Sequence, residues 1–106
     1  METIITTTDT VPGREIAHCI GLVKGSTVRA KHIGSDIVAG LRNLVGGEVK
    51  EYASLLAGAR EQAIDRMLSE ARTMGADAVV GMRLETSTIT QAASEVVAYG
   101  TAVKLK

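Results

Sequence analysis

The sequence contains no phenylalanine and no tryptophan, and only two tyrosines, Tyr52 and Tyr99. Large aromatic side chains each bury on the order of 150–250 Å², so a core built without them must come from aliphatic residues. Eleven Val, eight Ile, eight Leu, four Met and fourteen Ala are available. There is a single cysteine, Cys19, which excludes an intrachain disulfide framework and points to a reduced, cytoplasmic setting. An excess of either charge is missing as well: twelve Lys and Arg balance twelve Asp and Glu. A nucleic-acid module normally shows a basic excess, and an anionic membrane surface attracts one, so neither partner is expected. No apolar run approaches the roughly 20 residues that span a bilayer. Residues 1–10 are polar and threonine-rich, without the basic and apolar regions of a signal peptide, so none is expected. The GxGxxG pattern of dinucleotide-binding loops is absent too.

What is present is ordinary in amount and unusual in kind. Hydrophobic residues make up 45% and charged residues 23% of the 106 residues. That is the composition of a folded globular chain and the length of one domain, residues 1–106. A chain of this size folding alone buries roughly 60–70% of its unfolded surface. With a mean hydropathy of +0.16 and no aromatic bulk, a monomeric core would be thin. The surplus aliphatic surface is therefore expected to be buried against other copies, which makes the chain its own expected partner.

Residues 4–8 are largely β-branched and read as a short strand. Pro12-Gly13 should end it in a turn, since proline cannot donate to a ladder. Residues 14–30 return to strand, with Ile16, His18, Ile20 and Leu22 on one face and Ala17, Cys19, Gly21 and Val23 on the other. Gly25-Ser26 reads as a bulge or turn within it. Ser35-Asp36 can cap a short helix carrying Ile37, Leu41, Leu44 and Val45, which Gly46-Gly47 stops. The 3.6-residue period then predicts a long helix over 49–74, about 39 Å in length. Tyr52, Leu55, Leu56, Ala59, Ala63, Met67, Ala71 and Met74 track one face, opposite Lys50, Gln62, Arg66, Ser69 and Thr73. Gly75 is its natural stop. Two strands follow, over 77–85 and 96–103, separated by a polar connection at 86–91. Val80, Met82 and Leu84 share one face of the first. The second is apolar on both faces, as a strand covered on both sides should be. The order is β-β-α-α-β-β in an α/β two-layer (α+β) domain. One sheet face takes the long helix, and the other needs a partner.

Ile5-Thr6-Thr7-Thr8, Pro12-Gly13, the stretch from Gly21 to Gly25, Val28-Arg29, Asp36, Leu41-Arg42-Asn43, Gly46-Gly47-Glu48, Tyr52, Ala59-Arg60, Ala63, Ala71, Gly75-Ala76 and Tyr99-Gly100-Thr101-Ala102-Val103 together resemble the YbjQ family of bacterial and archaeal proteins. The resemblance spans essentially the whole chain. It implies a small α/β subunit with a dodecin-like β-α-β-β core, an extra N-terminal strand and a short helix before the long one, assembled as a homopentamer. It implies no settled activity. The family carries a heavy-metal-binding label, and the residues have to be asked whether they support it.

A soft metal requires thiolate, imidazole or thioether donors converging within about 2–2.3 Å of one point. The donors are Cys19, His18, His32, Met1, Met67, Met74 and Met82, with no CxxC or HxxxH spacing. His18 and Cys19 are adjacent on a strand and face opposite ways. Cys19 is the metal-ligand candidate, through one thiolate per subunit converging around a symmetry axis, and a soft metal ion is the cofactor candidate. The plainer role of Cys19 is that of a buried small hydrophobe. His18 is expected to be partly buried and hydrogen-bonded, and the methionines to fill the core.

Gly46-Gly47-Glu48 is the sharpest local feature. Glu48 opens the long helix, where a carboxylate complements the macrodipole. Tyr52 follows one turn later and Arg60 three turns later. The group makes either a capped, ion-paired helix start at a subunit interface or a polar pocket in which Arg29 or Arg60 holds an anionic ligand. Arg29, Glu48, Tyr52 and Arg60 are the ligand-binding candidates. Hydrolytic chemistry needs a nucleophile with a base and an orienting group. Neither histidine lies in such a motif, and the carboxylate pairs Glu48 and Glu51, and Glu61 and Asp65, fall on the solvated helix face. The expected function is a small oligomeric binding module for a metal ion or small ligand at subunit interfaces, not an enzyme. A scaffold ring that holds no ligand is the alternative.

Overall fold

The computed structural model describes residues 2–30, 50–90 and 93–106. Within them the chain forms strands β1 (Ile4–Ile5) and β2 (Ile16–Ala30), helix α1 (Lys50–Thr73), and strands β3 (Ala78–Thr90) and β4 (Ala93–Leu105). The four strands make one sheet in the order β1-β3-β4-β2. β4 pairs antiparallel with both β2 and β3, and β1 runs parallel to β3. β2 and β3 therefore run in the same direction on either side of β4, with α1 between them in the chain. That is a mixed α/β fold with a β-α-β-β order. The short helix expected before α1 and the Gly46-Gly47-Glu48 step lie outside the described residues.

α1 covers one sheet face, lying mainly on β2 and β4. Ala59, Ala63, Met67 and Ala71 recur every four residues and are fully buried. They meet Val23 of β2 and Val96, Ala98 and Ala102 of β4. These side chains are small, so the helix packs densely only by coming close to the sheet. A Cβ built on Gly25 would overlap the helix backbone at Ala63 O and Met67 N, and lie 2.8 Å from Arg66 C. Gly25 is thus the helix contact and not the bulge or turn expected there. Gly25 and Ser26 keep an unbroken register with Ala98 and Val97.

The register of β2 breaks elsewhere, between Ile16 and His18 and between Cys19 and Gly21. An inserted residue turns the side chains that follow to the other face. Ile20 joins the helix-side core. Leu22, expected beside it, sits opposite Thr101 on the other face and is 64% exposed. β3 breaks likewise at Gly81, which has φ +63°. Met82 consequently packs on the helix-side core while Val80 belongs to the cluster on the opposite face. Residues 86–90, expected as a connection, continue β3. Thr86, Thr88 and Thr90 are β-branched and pair with Val96, Ser94 and Ala93.

β1 stops after Ile5 and does not reach Thr8. Thr8 N donates to Thr6 Oγ1 at 3.1 Å and Thr8 Oγ1 donates to the Thr10 carbonyl at 2.6 Å, local bonds that compete with a ladder. Arg14 N donates to Val11 O at 3.0 Å across Pro12-Gly13, with Gly13 at φ +79°, as a type II turn requires. The turn seats Val11 against Ala78, Val80 and Val103 in a second small core on the face away from α1.

α1 ends as its sequence predicts. Ala76 N donates to Ala71 O and Gly75 N to Arg72 O, both at 3.0 Å, with Gly75 at φ +79°. This pair of bonds is the Schellman close. Gly75→Ala should destabilise the protein by about 1–2 kcal/mol through backbone strain alone, since a Cβ there meets nothing within 4 Å. Denaturant unfolding measures that loss.

Candidate functional site

Alternate residues of β2 share a face, so Thr27 and Arg29 follow Val23 and Gly25 toward α1. Arg29 Nη2 donates to Gln62 Oε1 at 3.0 Å. Arg29 Nε and Thr27 Oγ1 are buried, and among the described residues they are the side-chain polar atoms left without a partner. Leaving such a group unpaired costs about 1–3 kcal/mol. Gly58, one turn before Gln62, sets only hydrogen above the guanidinium: a Cβ there would meet Arg29 Nη2 at 3.9 Å and nothing else within 4 Å. Beyond the rim of this group, Arg66 Nη1 reaches the Ser26 carbonyl at 2.6 Å. The ion pairs among the described residues, Lys104 with Asp77 at 3.9 Å and Lys106 with Glu15 at 3.1 Å, do not involve Arg29.

The expected ligand-binding residues are only partly brought together. Arg29 is at the centre. Arg60 is exposed. Gly58 and Gln62 face Arg29, and at 3.6 residues per turn Arg60 lies roughly 160–200° around the helix from them, so Arg29 and Arg60 do not share a pocket. Tyr52 falls in the first turn of α1. Its side chain, like all of Glu48, lies outside the described residues. Thr27 and Gln62 were missed. The strand alternation running from Val23 through Arg29 would have found Thr27. The helical period sorts Gln62 onto the solvent face, but it sits on the flank of the helix and reaches down to β2.

Cys19 pairs with Val103 and is exposed, not buried, because the register breaks on either side of it hold it on the uncovered face. His18 is exposed as well, where partial burial was expected. Met67 is fully buried, but Met74, past the end of α1, is 39% exposed. Among the described residues no three His, Cys, Asp or Glu side chains gather to hold a metal ion. Among the described donors, one exposed thiol does not by itself make a soft-metal site.

Among the described residues, the sheet face away from α1 is covered only at one end, by Val11. Its remainder presents Leu22, Lys24, Ser26 and Val28 from β2, opposite Thr101, Tyr99, Val97 and Glu95 of β4. Tyr99 Oη lies 3.5 Å from Glu85 Oε1 on the same face. At the outer edge of β2 a cleft of about 430 Å³ is lined by Lys24, Gly25, Ser26, Glu70, Glu95 and Val97, so both charge signs meet on its walls. Of the expected site residues that are described, Cys19, Arg29 and Arg60, none lines it. No helix among the described residues is long and apolar enough to cross a membrane.

The sequence matches the model of the YbjQ family, described as "Putative heavy-metal-binding", over residues 3–106. It is 57% identical over 105 residues to a UPF0145 protein of Archaeoglobus fulgidus, which covers 99% of this chain and 97% of that protein. A UPF0145 protein of Thermus thermophilus is 54% identical over 106 residues, 100% of this chain and 93% of that protein. The fold is similar to the crystal structure of a protein of unknown function of the DUF74 family from Pediococcus pentosaceus, with a TM-score of 0.66 at 17% identity over 98% of each chain. At that identity the likeness is one of fold alone. On the family match across nearly the whole sequence and the identity to these relatives, the chain belongs to the YbjQ (UPF0145) family.

Proposed function

We propose that the chain is one subunit of a cytoplasmic homo-oligomer, a dodecin-like pentamer as the family resemblance implies. In this reading it binds a small ligand at or beside its subunit interfaces and catalyses no reaction. The observation that carries the reading is the open sheet face. Leu22 and Val28 are 64% and 54% exposed on β2, the outermost of the described strands on its side of the sheet, and half-buried Val97 and Tyr99 lie beside them. An edge strand with an exposed apolar face is a surface that folded proteins normally cover. Shape supports the same reading. The Cα radius of gyration is 17.2 Å, with extents of 54 × 24 × 21 Å, where a compact chain of this length has about 13 Å.

The chemistry of the one thiol supports the reading without catalysis. The one thiol, Cys19, is adjacent in sequence to His18, and the two pair with Val103 and Lys104, adjacent β4 residues that face opposite ways. His18 therefore does not serve the thiol as its base. A soft ion would need thiolates from more than one copy.

Native mass spectrometry of purified protein tests both points. The expected spectrum is a multiple of the 11.1 kDa chain, with no more than one soft-metal ion per subunit after incubation with Zn²⁺ or Cu⁺, and none in Cys19→Ala. A stable single-chain mass at micromolar concentration would overturn the assembly. Metal retained tightly by Cys19→Ala would overturn the thiolate assignment.

A further inference from the structure

We propose that Arg29 and Thr27 form a binding site for a small oxyanion, a carboxylate or a phosphate, under α1 at Gly58. The site rests on the binding-module reading above and gives it a ligand class. A guanidinium keeps its charge at every accessible pH, so Arg29 carries a cation into the helix–sheet layer. There it makes a bond to a neutral acceptor, Gln62 Oε1 at 3.0 Å. Among the described residues, Nε on the same planar group is buried without an acceptor, and Thr27 Oγ1, two residues away on the same strand face, is buried without a partner. Buried polar atoms in folded proteins are nearly all hydrogen-bonded, and buried charges are paired.

Two donors on adjacent positions of one strand face, one of them cationic, call for an acceptor with negative charge and more than one oxygen. Water could accept from either donor, but it leaves the charge uncompensated. Carboxylate and phosphate fit the planar guanidinium and bring charge-assisted bonds. The geometry also supplies an entrance. Arg29 is only part-buried, and Gly58 is exposed and places no side chain over Nη2, where its Cβ would stand 3.9 Å away. A larger residue at 58 would lie across the guanidinium.

Titration calorimetry in an anion-poor buffer tests the site, with sodium phosphate in one arm and sodium succinate in the other. The expected result is saturable binding of one anion per subunit in at least one arm, with a melting temperature that rises with anion concentration. The arm that saturates identifies the source. Arg29→Gln removes the cation but also disturbs the helix–sheet contact, so the main variants are Gly58→Leu, which keeps the charge and covers it, and Thr27→Val, which keeps the shape and removes the hydroxyl. Each should weaken binding about tenfold or more. No saturable binding in either arm, or wild-type affinity in both variants, would overturn the site. Sedimentation of the same samples keeps the two readings apart. A protein that assembles but binds neither anion refutes the site alone, and one that binds an anion as a single chain refutes the assembly alone.

Discussion

Gly25→Ala should lower the melting temperature by about 12 °C or more, corresponding to about 3 kcal/mol at roughly 4 °C per kcal/mol for a domain of this size. The reason is backbone against backbone. The added methyl would overlap Ala63 O and Met67 N and approach Arg66 C to 2.8 Å. None of these atoms is the end of a flexible side chain, so α1 as a whole would have to lift from β2. Lifting it loosens Ala59, Ala63, Met67 and Ala71, the fully buried stripe of the helix. Whole-domain stability is only about 5–15 kcal/mol, so the change is severe although it adds a single carbon. Gly58→Ala is the control. Its Cβ meets only Arg29 Nη2, at 3.9 Å, and replacing glycine in a helix interior gains about 1 kcal/mol, so that variant should melt at or above the wild-type temperature. Scanning calorimetry on the two variants decides the matter. Equal melting temperatures would mean that α1 does not rest on β2 at Gly25.

The long helix was legible because its signals are local. The four-residue spacing of Ala59, Ala63, Met67 and Ala71, and Gly75 after them, placed it at 49–74, against Lys50–Thr73 in the structure. The strands were legible for the same reason, through their β-branched residues. Their facing was not. Which side of the sheet Ile20, Leu22 and Met82 take depends on bulges, and those are set by pairing with β4 and with the N-terminal segment. Gly81 N donates to Thr8 O at 2.8 Å and Met82 N to Thr6 O at 3.0 Å, contacts across more than seventy residues that no local period can reveal. Glycine was an ambiguous guide for the same cause. Gly81 makes a bulge, whereas Gly25 makes room for a helix, although Gly25 with its polar neighbours Lys24 and Ser26 is the one that reads as a break. At the site, Arg29 was legible as a charged residue in strand alternation with Val23. Its partner Gln62 was not, because a helical wheel sorts residues into inside and outside, and a flank position reaching over an edge strand belongs to neither.

Replacing Leu22 and Val28 together with Glu should convert the proposed assembly into single chains of 11.1 kDa at micromolar concentration, with the fold of each chain intact. In the isolated chain both side chains are largely exposed, and surface changes of this kind stay within about ±0.5 kcal/mol. Helical and strand content by circular dichroism should therefore be preserved. Buried against a second copy, the same two residues would contribute about 1.5–3 kcal/mol each. An unpaired carboxylate forced into that interface adds a penalty of several kcal/mol. Loss of about 3–6 kcal/mol weakens association by roughly two to four orders of magnitude, enough to dissociate a micromolar complex at working concentrations. Cys19, opposite Val103 on the same sheet face, is the reporter. Its thiol should react with a disulfide reagent faster in the double variant than in the wild type, because the covering copy is gone. A variant that keeps its oligomeric mass and its slow thiol would mean that this face looks into solvent in the assembly, and that copies meet through another surface.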